Sequence, residues 1–489
     1  MGIDSSARSR QVSVDVQFKN FQVGKVSFLP QKVALIGQGA TASTYVLDSF
    51  SATSSAEVAA RYGFGSPLHL ASKEMFPLNG DGIRSIPVTI YPLDDDGSGV
   101  AAAGDITASG TQTAPKDYII KVNEIPTGGF QLATGVTASA AITTMKTALD
   151  AVLDVPLTTG ANTGVELVLD LTSKWKGESA NDIFVEIDGV EAGITFVVTQ
   201  LVNGAVNPDI DIALAKINPN WESIICNLLN YDDTATLTKL ATYGEGRWLE
   251  SVKQPLFSVV GTDDNRATRT VITDARKTDR INVLLPSPGT NELPSNIAAR
   301  AVTRIAVTAN NNPPQNYKDR LTGIVPGPDT SQETGTEREL SLQAGSGTTI
   351  LIDGEIELND TITMYHPDGD PLPAYRYVVD IVRLQNVVYN MRGIFESPEW
   401  KGAPLLPNNT PTTNKTAKKP KDALTAMGNL ATNLALAGII SDPDFTKENM
   451  SSTIDNTNNK RLNNVFPIKL SGNTEIIDNT VYFGFYFGS

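Results

Sequence analysis

Both ends of this chain carry apolar residues at a spacing of two, and a strand at a chain end must be paired by something. Near the N-terminus Val12, Val14, Val16 and Phe18 alternate with Gln11, Ser13, Asp15 and Gln17. At the C-terminus Val481, Phe483, Phe485 and Phe487 alternate with Tyr482, Gly484 and Tyr486. This period puts one set of side chains on one face of a strand. Left unpaired, such a strand exposes both its ladder groups and its apolar face. The partner is either the chain's own sheet or a neighbouring copy's, because the ladder physics is the same in both. We read the two ends as arms that stitch copies of the chain together, with closure of the chain's own sheet as the alternative.

The rest of the sequence sets the frame for those arms. A chain of 489 residues is long for one core and suggests about two to four domains. Its 40% hydrophobic and 19% charged content fits an ordinary globular protein. A net charge of −15 repels phosphate backbones and argues against nucleic acid as a partner. The first ten residues lack the apolar stretch of a signal peptide, and no segment approaches the ~18 apolar residues of a membrane span. The single cysteine, Cys226, cannot form an intrachain disulfide, so packing alone must hold the fold, as suits assembly in a reducing cytoplasm.

Read along its length, the chain predicts a mixed α/β and α+β multidomain protein. Residues 31–39 form a buried strand ending in a glycine turn, residues 54–62 a capped helix, and residues 83–93 a second strand. Pro87 and Pro92 place that second strand at an edge or an end. From 94 to 202 the chain turns rich in Gly, Ala and Thr, with strands at 118–122, 165–171, 183–187 and 194–200. A helix over 138–152 carries Ile142, Met145, Leu149 and Val152 on one face. This stretch reads as an inserted, peripheral β-rich domain. The α/β pattern then resumes with strands at 221–229, 256–260 and 281–285 and helices at 234–240 and 296–308. Further strands are expected at 349–352, 361–365 and 377–384, then a polar linker over 404–422 and a helix over 423–440. A final hairpin would pair 465–470 with the terminal aromatic strand. The domain reading is an arm at 1–20, a discontinuous core at 21–93 and 203–401, the insertion at 94–202, and a C-terminal domain at 402–489.

Signals for catalysis are weak. The chain has two histidines, His69 and His366, far apart and without a partner motif, and both read as structural. No zinc spacing, phosphate-binding P-loop or nucleophile elbow occurs. The turn at 36–41 (IGQGAT) lacks the third glycine of a dinucleotide loop and reads as a tight turn. Asp94, Asp96 and Ser98 resemble the start of a calcium loop, but Asp105 stands where the bidentate Glu is needed, so a solvated acidic turn is the reading. Cys226, in an apolar strand, reads as a small core residue. No catalytic residue, metal or cofactor is expected.

Four longer stretches resemble the contractile tail sheath proteins of Mu-like bacteriophages: 171–187 (LTSKWKGESANDIFVEI), 244–262 (GEGRWLESVKQPLFSVVGT), 311–329 (NNPPQNYKDRLTGIVPGPD) and 361–392 (TITMYHPDGDPLPAYRYVVDIVRLQNVVYNMR). The likeness runs over most of the chain in family order, with no single diagnostic motif. At 356–360 (IELND) the chain departs from the family, which more often has a basic residue before the Thr-rich strand. The resemblance implies a structural subunit, not an enzyme. Such subunits stack as six-fold rings around a tail tube, and their terminal arms complete a small sheet in neighbouring copies. Contraction of the lattice then drives the tube through the host envelope. Implied partners are other copies, the tube protein, and the baseplate and tail terminator proteins, with no nucleic acid and no direct membrane insertion. The implied place is the virion tail, assembled in the host cytoplasm. The sheath of a related injection machine (bacteriocin or type VI-like) stays open as an alternative, as does, more remotely, a surface adhesin or carbohydrate-active protein.

Charge distribution adds one expectation. From Lys401 onward nine basic residues face seven acidic ones, against −15 for the whole chain. Lys415, Lys418, Lys419 and Lys421 are therefore candidates for contacting an acidic tail tube, with a solvated loop as the alternative.

Overall fold

The computed structural model describes residues 26–78, 80–162, 167–369, 376–474 and 480. Strand β1 (Val33–Gln38) is six consecutive buried residues, the run expected of a parallel strand covered on both faces. After a short strand β2 (Phe50–Ala52) come helices α1 (Ser55–Tyr62) and α2 (Pro67–Met75) and strand β3 (Val88–Leu93). Ser54 caps α1 by accepting from the Glu57 amide, and Ser66 caps α2 by accepting from that of His69. Pro67 opens α2, where a missing N–H costs nothing. β3 pairs in parallel with β1 from Val88 to Leu93 and so lies inside the sheet, not at its edge. The prolines are still accommodated: β2 covers only Val88–Ile90, and among the described residues no strand lies outside Pro92.

The next stretch builds two antiparallel sheets. Its elements are β4 (Ala101–Gly110), β5 (Lys116–Val122), β6 (Ile125–Pro126), β7 (Phe130–Leu132), α3 (Ala138–Asp150), β8 (Leu157–Asn162), β9 (Val168–Lys176), β10 (Val185–Gly189) and β11 (Ile194–Val202). One sheet runs β11-β4-β9-β8; the other runs β10-β5-β6, with β7 also on β5. β9 buries Leu169, Leu171, Ser173 and Trp175 and exposes Asp170 and Thr172, the alternation of a half-buried strand. α3 buries Ile142, Met145 and Leu149, as its spacing predicts. β4 had no expectation in the sequence: its AAAGDITASG has low strand propensity and is held by neighbours on both sides. Leu70 and Leu293 join the core of this region.

The chain then returns to the first sheet through α4 (Asp211–Ile217), β12 (Ile224–Asn227), α5 (Thr234–Trp248), β13 (Phe257–Thr262), α6 (Arg266–Asp274), β14 (Asn282–Pro286) and α7 (Pro294–Asn311). The order is β14-β13-β12-β1-β3-β2, parallel throughout except for β2. Alternate residues of each strand enter two cores. Leu35, Ile90, Cys226 and Val259 pack on the face of α7, while Ile36, Tyr91 and Ile225 pack with Leu214 of α4 and Leu240 of α5. Gly261 permits the close seat of α7, since a Cβ there would stand 2.1 Å from the Pro294 carbonyl.

Beyond α7 lie α8 (Gly335–Gln343) and the hairpin β15 (Thr348–Ile352) and β16 (Glu355–Asp360), turned by Asp353 and Gly354, both at positive φ. Two expectations fail here. Residues 361–365 form no strand but only single bridges, Ile362 to Tyr377 and Thr363 to Val283. The strand expected at 377–384 is instead the start of helix α9 (Val378–Phe395). Its run of Val and Ile mimics a strand, but Val378, Val379, Ile381, Val382, Gln385 and Asn386 are buried at helical spacing.

Among the described residues, 28–389 with 472–474 belong to one compact unit, and 390–471 with 26–27 to a second. The second contains α10 (Pro420–Leu436), α11 (Pro443–Asn449), β17 (Ser451–Ile454) and β18 (Leu462–Val465). α10, within the helix expected over 423–440, buries Ala423, Met427, Ala431 and Leu434, while Leu424 is half-buried. The expected hairpin of 465–470 is not what these residues form: Val465 pairs with Ser451, and Leu470 bridges to Ile440. The terminal strand to which they were assigned lies outside the described residues.

A buried carboxyl cluster ties the two-sheet region to the α/β core. The turn at Asn123 and Glu124, both at positive φ, meets the segment before α7: Asn123 donates to the Asn291 carbonyl at 2.9 Å, and Asn291 donates to Glu124 at 3.1 Å. Next to it, burial and then the charge of Glu74 push Glu292 up from 4.5 to about 8. A carboxyl held above its unfolded value binds its proton more tightly in the fold. Its stabilising contribution is therefore complete near pH 4.5 and is lost as pH rises through about 8. Glu292→Gln is expected to raise stability at pH 8.5 by about 1–2 kcal/mol and to flatten the slope between pH 8 and 5. Thermal unfolding across that range checks this; an unchanged slope would mean that Glu292 is already ionised in the fold at neutral pH.

Candidate assembly interfaces

In an open parallel sheet, ligands bind beyond the carboxyl ends of the strands, where the strand order reverses. Here that point lies between β1 and β12, and the chain's own residues fill it. Gln38 donates to Asp95 at 2.6 Å and to the Lys176 carbonyl at 2.7 Å. Thr41 donates to the other oxygen of Asp95, and the Gly39 amide donates to the Tyr45 hydroxyl at 3.0 Å. A Cβ on Gly37 would stand 2.7 Å from Leu228. The side chains flanking the glycine turn thus bind an aspartate of their own chain.

Other reactive side chains are also engaged in the fold. The His69 Nδ1 accepts from the Gly65 amide at 3.0 Å, and burial lowers its pKa to about 4. His366 lies between the Met364 carbonyl and Asp274. Burial pushes the Cys226 thiol up, away from thiolate chemistry. Beyond β13, burial and then the charge of Asp264 raise Asp263 to about 6, while Asp182 is raised by burial and by Asp263, Asp232 and Asp264. Among the described residues, no three His, Cys, Asp or Glu side chains are placed to hold a metal ion. Among them also, no helix is long and apolar enough to cross a membrane.

The second compact unit offers a different kind of surface. β17 and β18 form a two-stranded ribbon, and among the described residues no third strand joins it. Its turn is rigid: the Asp455 carboxylate accepts from the Thr457 hydroxyl and amide, the Asn458 amide and Asn463, which together hold its pKa low. A two-stranded ribbon is marginal by itself and gains from further strands. The arm residues Val12, Val14, Val16, Phe18, Val481, Phe483, Phe485 and Phe487 lie outside the described residues. The chain next to them is described. Leu29 donates its amide to Asn386 at 2.8 Å, and Arg383 donates to Asn473 at 2.6 Å. Sequence reading missed these holding residues, because 377–384 read as a strand and hid the helical spacing of Arg383 and Asn386.

The four candidate lysines divide into two pairs. Lys415 and Lys421 are exposed. Lys418 lies 5.3 Å over the Trp400 ring and 3.4 Å from Glu399, and Lys419 donates to the Thr410 carbonyl at 2.5 Å. The inner pair therefore shapes the 404–418 loop, while the outer pair projects into solvent.

No family model matches the chain. Among curated proteins it is 25% identical over 456 residues to the Mu-like prophage FluMu tail sheath protein of Haemophilus influenzae, an alignment covering 88% of each chain. The chain is thus similar, along most of its length, to a Mu-like tail sheath protein. Among solved structures, the sheath tail protein of Listeria innocua superposes with a TM-score of 0.50 at 11% identity, over 92% of this chain and 94% of that one, a likeness of fold. The sheath resemblance read in the sequence thus holds along the chain, and the mixed helix-and-sheet multidomain fold is a sheath protein's fold.

The lysine geometry makes a testable distinction. Lys419→Glu is expected to lower the stability of the 390–471 unit by about 1 kcal/mol, through the lost bond to Thr410 and repulsion from Asp422. Lys415→Glu should leave it within about 0.5 kcal/mol of the parent. Thermal melts of the two variants decide; equal melting temperatures would remove Lys419 from its shaping role.

Proposed function

We propose that the chain is the structural subunit of a phage contractile tail sheath, polymerising as stacked six-membered rings around the tail tube and contracting to drive the tube through the host envelope. The observation that carries this reading is the likeness to a Mu-like prophage tail sheath protein, which runs along nearly nine-tenths of both chains. No nucleotide site is needed, because the work comes from a lattice that repacks from a strained extended state into a lower-energy contracted one. The subunit's own role is then mechanical, and its partners are other copies, the tube, the baseplate and the terminator. Assembly takes place in the host cytoplasm and the product is part of the virion tail.

In this reading the arms join copies by strand addition. The β17–β18 ribbon, short of strands and preset by Asp455, is the receiving sheet, and an arm from a neighbour supplies main-chain hydrogen bonds along its edge. A head-to-tail contact of this kind does not close on itself and so generates a helical array. The 94–202 region projects outward from the discontinuous core, while the C-terminal domain faces the tube. Lys415 and Lys421 make the screened, releasable contacts with an acidic tube surface.

Negative-stain electron microscopy of the full chain beside one lacking residues 1–20 and 475–489 tests the assembly. Tubes or stacked rings from the full chain, lost on truncation, are the expected result, with tube protein added as template where the chain alone stays dispersed. Polymers of equal length from both chains would overturn strand exchange.

A further inference from the structure

Helix α9 carries Arg383, Asn386 and Asn390 at positions i, i+3 and i+7, which is one stripe of a helix. Each grips main chain or side chain next to one end of the protein. Asn386 accepts the Leu29 amide at 2.8 Å, and Asn390 donates to the Ser27 carbonyl at 3.0 Å. Arg383 donates to Asn473 Oδ1 at 2.6 Å and to the Pro314 carbonyl at 2.8 Å, and Asn473 closes the triangle by donating to the same carbonyl at 2.9 Å. From Arg383 to Asn390 the helix rises only ~10 Å. Ser27, Leu29 and Asn473 are thus held close together along one helix.

The chemistry of the stripe is costly for a purely packing role. Arg383 is 2% exposed and Asn386 fully buried. A buried guanidinium is retained at a desolvation cost that an apolar side chain of similar volume would avoid. Asp380, at 2.6 Å, balances its charge, but the fork of donors is directed at Pro314 and Asn473. Asn386, whose amide donates back to the Val382 carbonyl of its own helix, uses its oxygen for Leu29. Strand addition makes such fixing worthwhile. A strand advances ~3.4 Å per residue, and a slip of one residue turns every side chain to the opposite face. Fixing the roots limits where the chain beyond them can reach.

We propose that this stripe of α9 is the common anchor from which both terminal arms leave the subunit. Arg383 positions the C-terminal arm through Asn473, and Asn386 and Asn390 position the N-terminal arm through Leu29 and Ser27. Both arms then start from fixed points on a single helix. The proposal rests on the strand-exchange reading above.

The test uses the full chain with Asn473→Ala, Asn386→Ala, Asn390→Ala and Arg383→Lys. Lysine keeps the charge but cannot reproduce the planar fork. Hydrogen exchange followed by mass spectrometry reads peptides over 26–31 and 470–474, and electron microscopy reads polymer length. Asn473→Ala and Arg383→Lys should speed exchange at 470–474 roughly tenfold; Asn386→Ala and Asn390→Ala should do so at 26–31. All four should give shorter or fewer polymers with the core melting temperature kept. Should the buried Asn386→Ala or Arg383→Lys fail to fold, the half-buried Asn390→Ala and Asn473→Ala carry the test. Parental exchange at both roots overturns the anchor, and so does faster exchange with polymers of parental length. If the parent chain forms no polymers even with tube protein present, the strand-exchange reading has failed on its own account. The exchange rates alone then decide whether the stripe holds the chain ends.

Discussion

The requirement that a parallel sheet be covered on both faces organises this molecule. β1 is buried from Val33 to Gln38, so each side must be closed by helices. α7 does this on one face, seated against Gly261 where no side chain intervenes, and α4 and α5 on the other. The consequence is a core that resists local deformation, since alternate residues of the same strands are locked into two packed layers.

At the carboxyl ends of the same sheet, polar side chains join distant parts of the chain. Its reversal of strand order creates a crevice beside β1 and β12, and Gln38, Thr41 and Asp95 with the Lys176 carbonyl close it. The two-sheet region between β3 and α4 supplies the Lys176 carbonyl to that spot. Asn123, Glu124 and Asn291 add a second tie at the start of α7. These polar groups join one part of the chain to another.

Much of the fold was legible because local signals agreed with each other. Ser54 begins the helix expected at 54–62 as a cap residue should, and Leu169 and Leu171 of the strand expected at 165–171 are buried on either side of exposed Asp170. Misreadings came where local preference and tertiary setting part. β4 is a strand of alanine and glycine, made by its two neighbours and not by its own residues. α9 is a helix of Val and Ile whose buried Arg383, Gln385 and Asn386 break any amphipathic pattern, because its polar side chains are satisfied by protein and not by water. The four lysines looked alike in the sequence, yet Trp400, Glu399 and Thr410 engage two of them.

By itself, then, the sequence determined the alternation of strands and helices, the lack of any recognised catalytic or metal motif, the apolar arms and the likeness to sheath proteins. All of these depend on residues close together in the chain or on the order of segments along it. Tertiary structure alone decided that the crevice of the sheet is closed, that Lys418 and Lys419 are engaged while Lys415 and Lys421 are exposed, and that Leu29 and Asn473 meet on one helix. Those outcomes join residues tens to hundreds of positions apart. Their energies depend on burial and on the distance between donors and acceptors, which no spacing along the chain encodes.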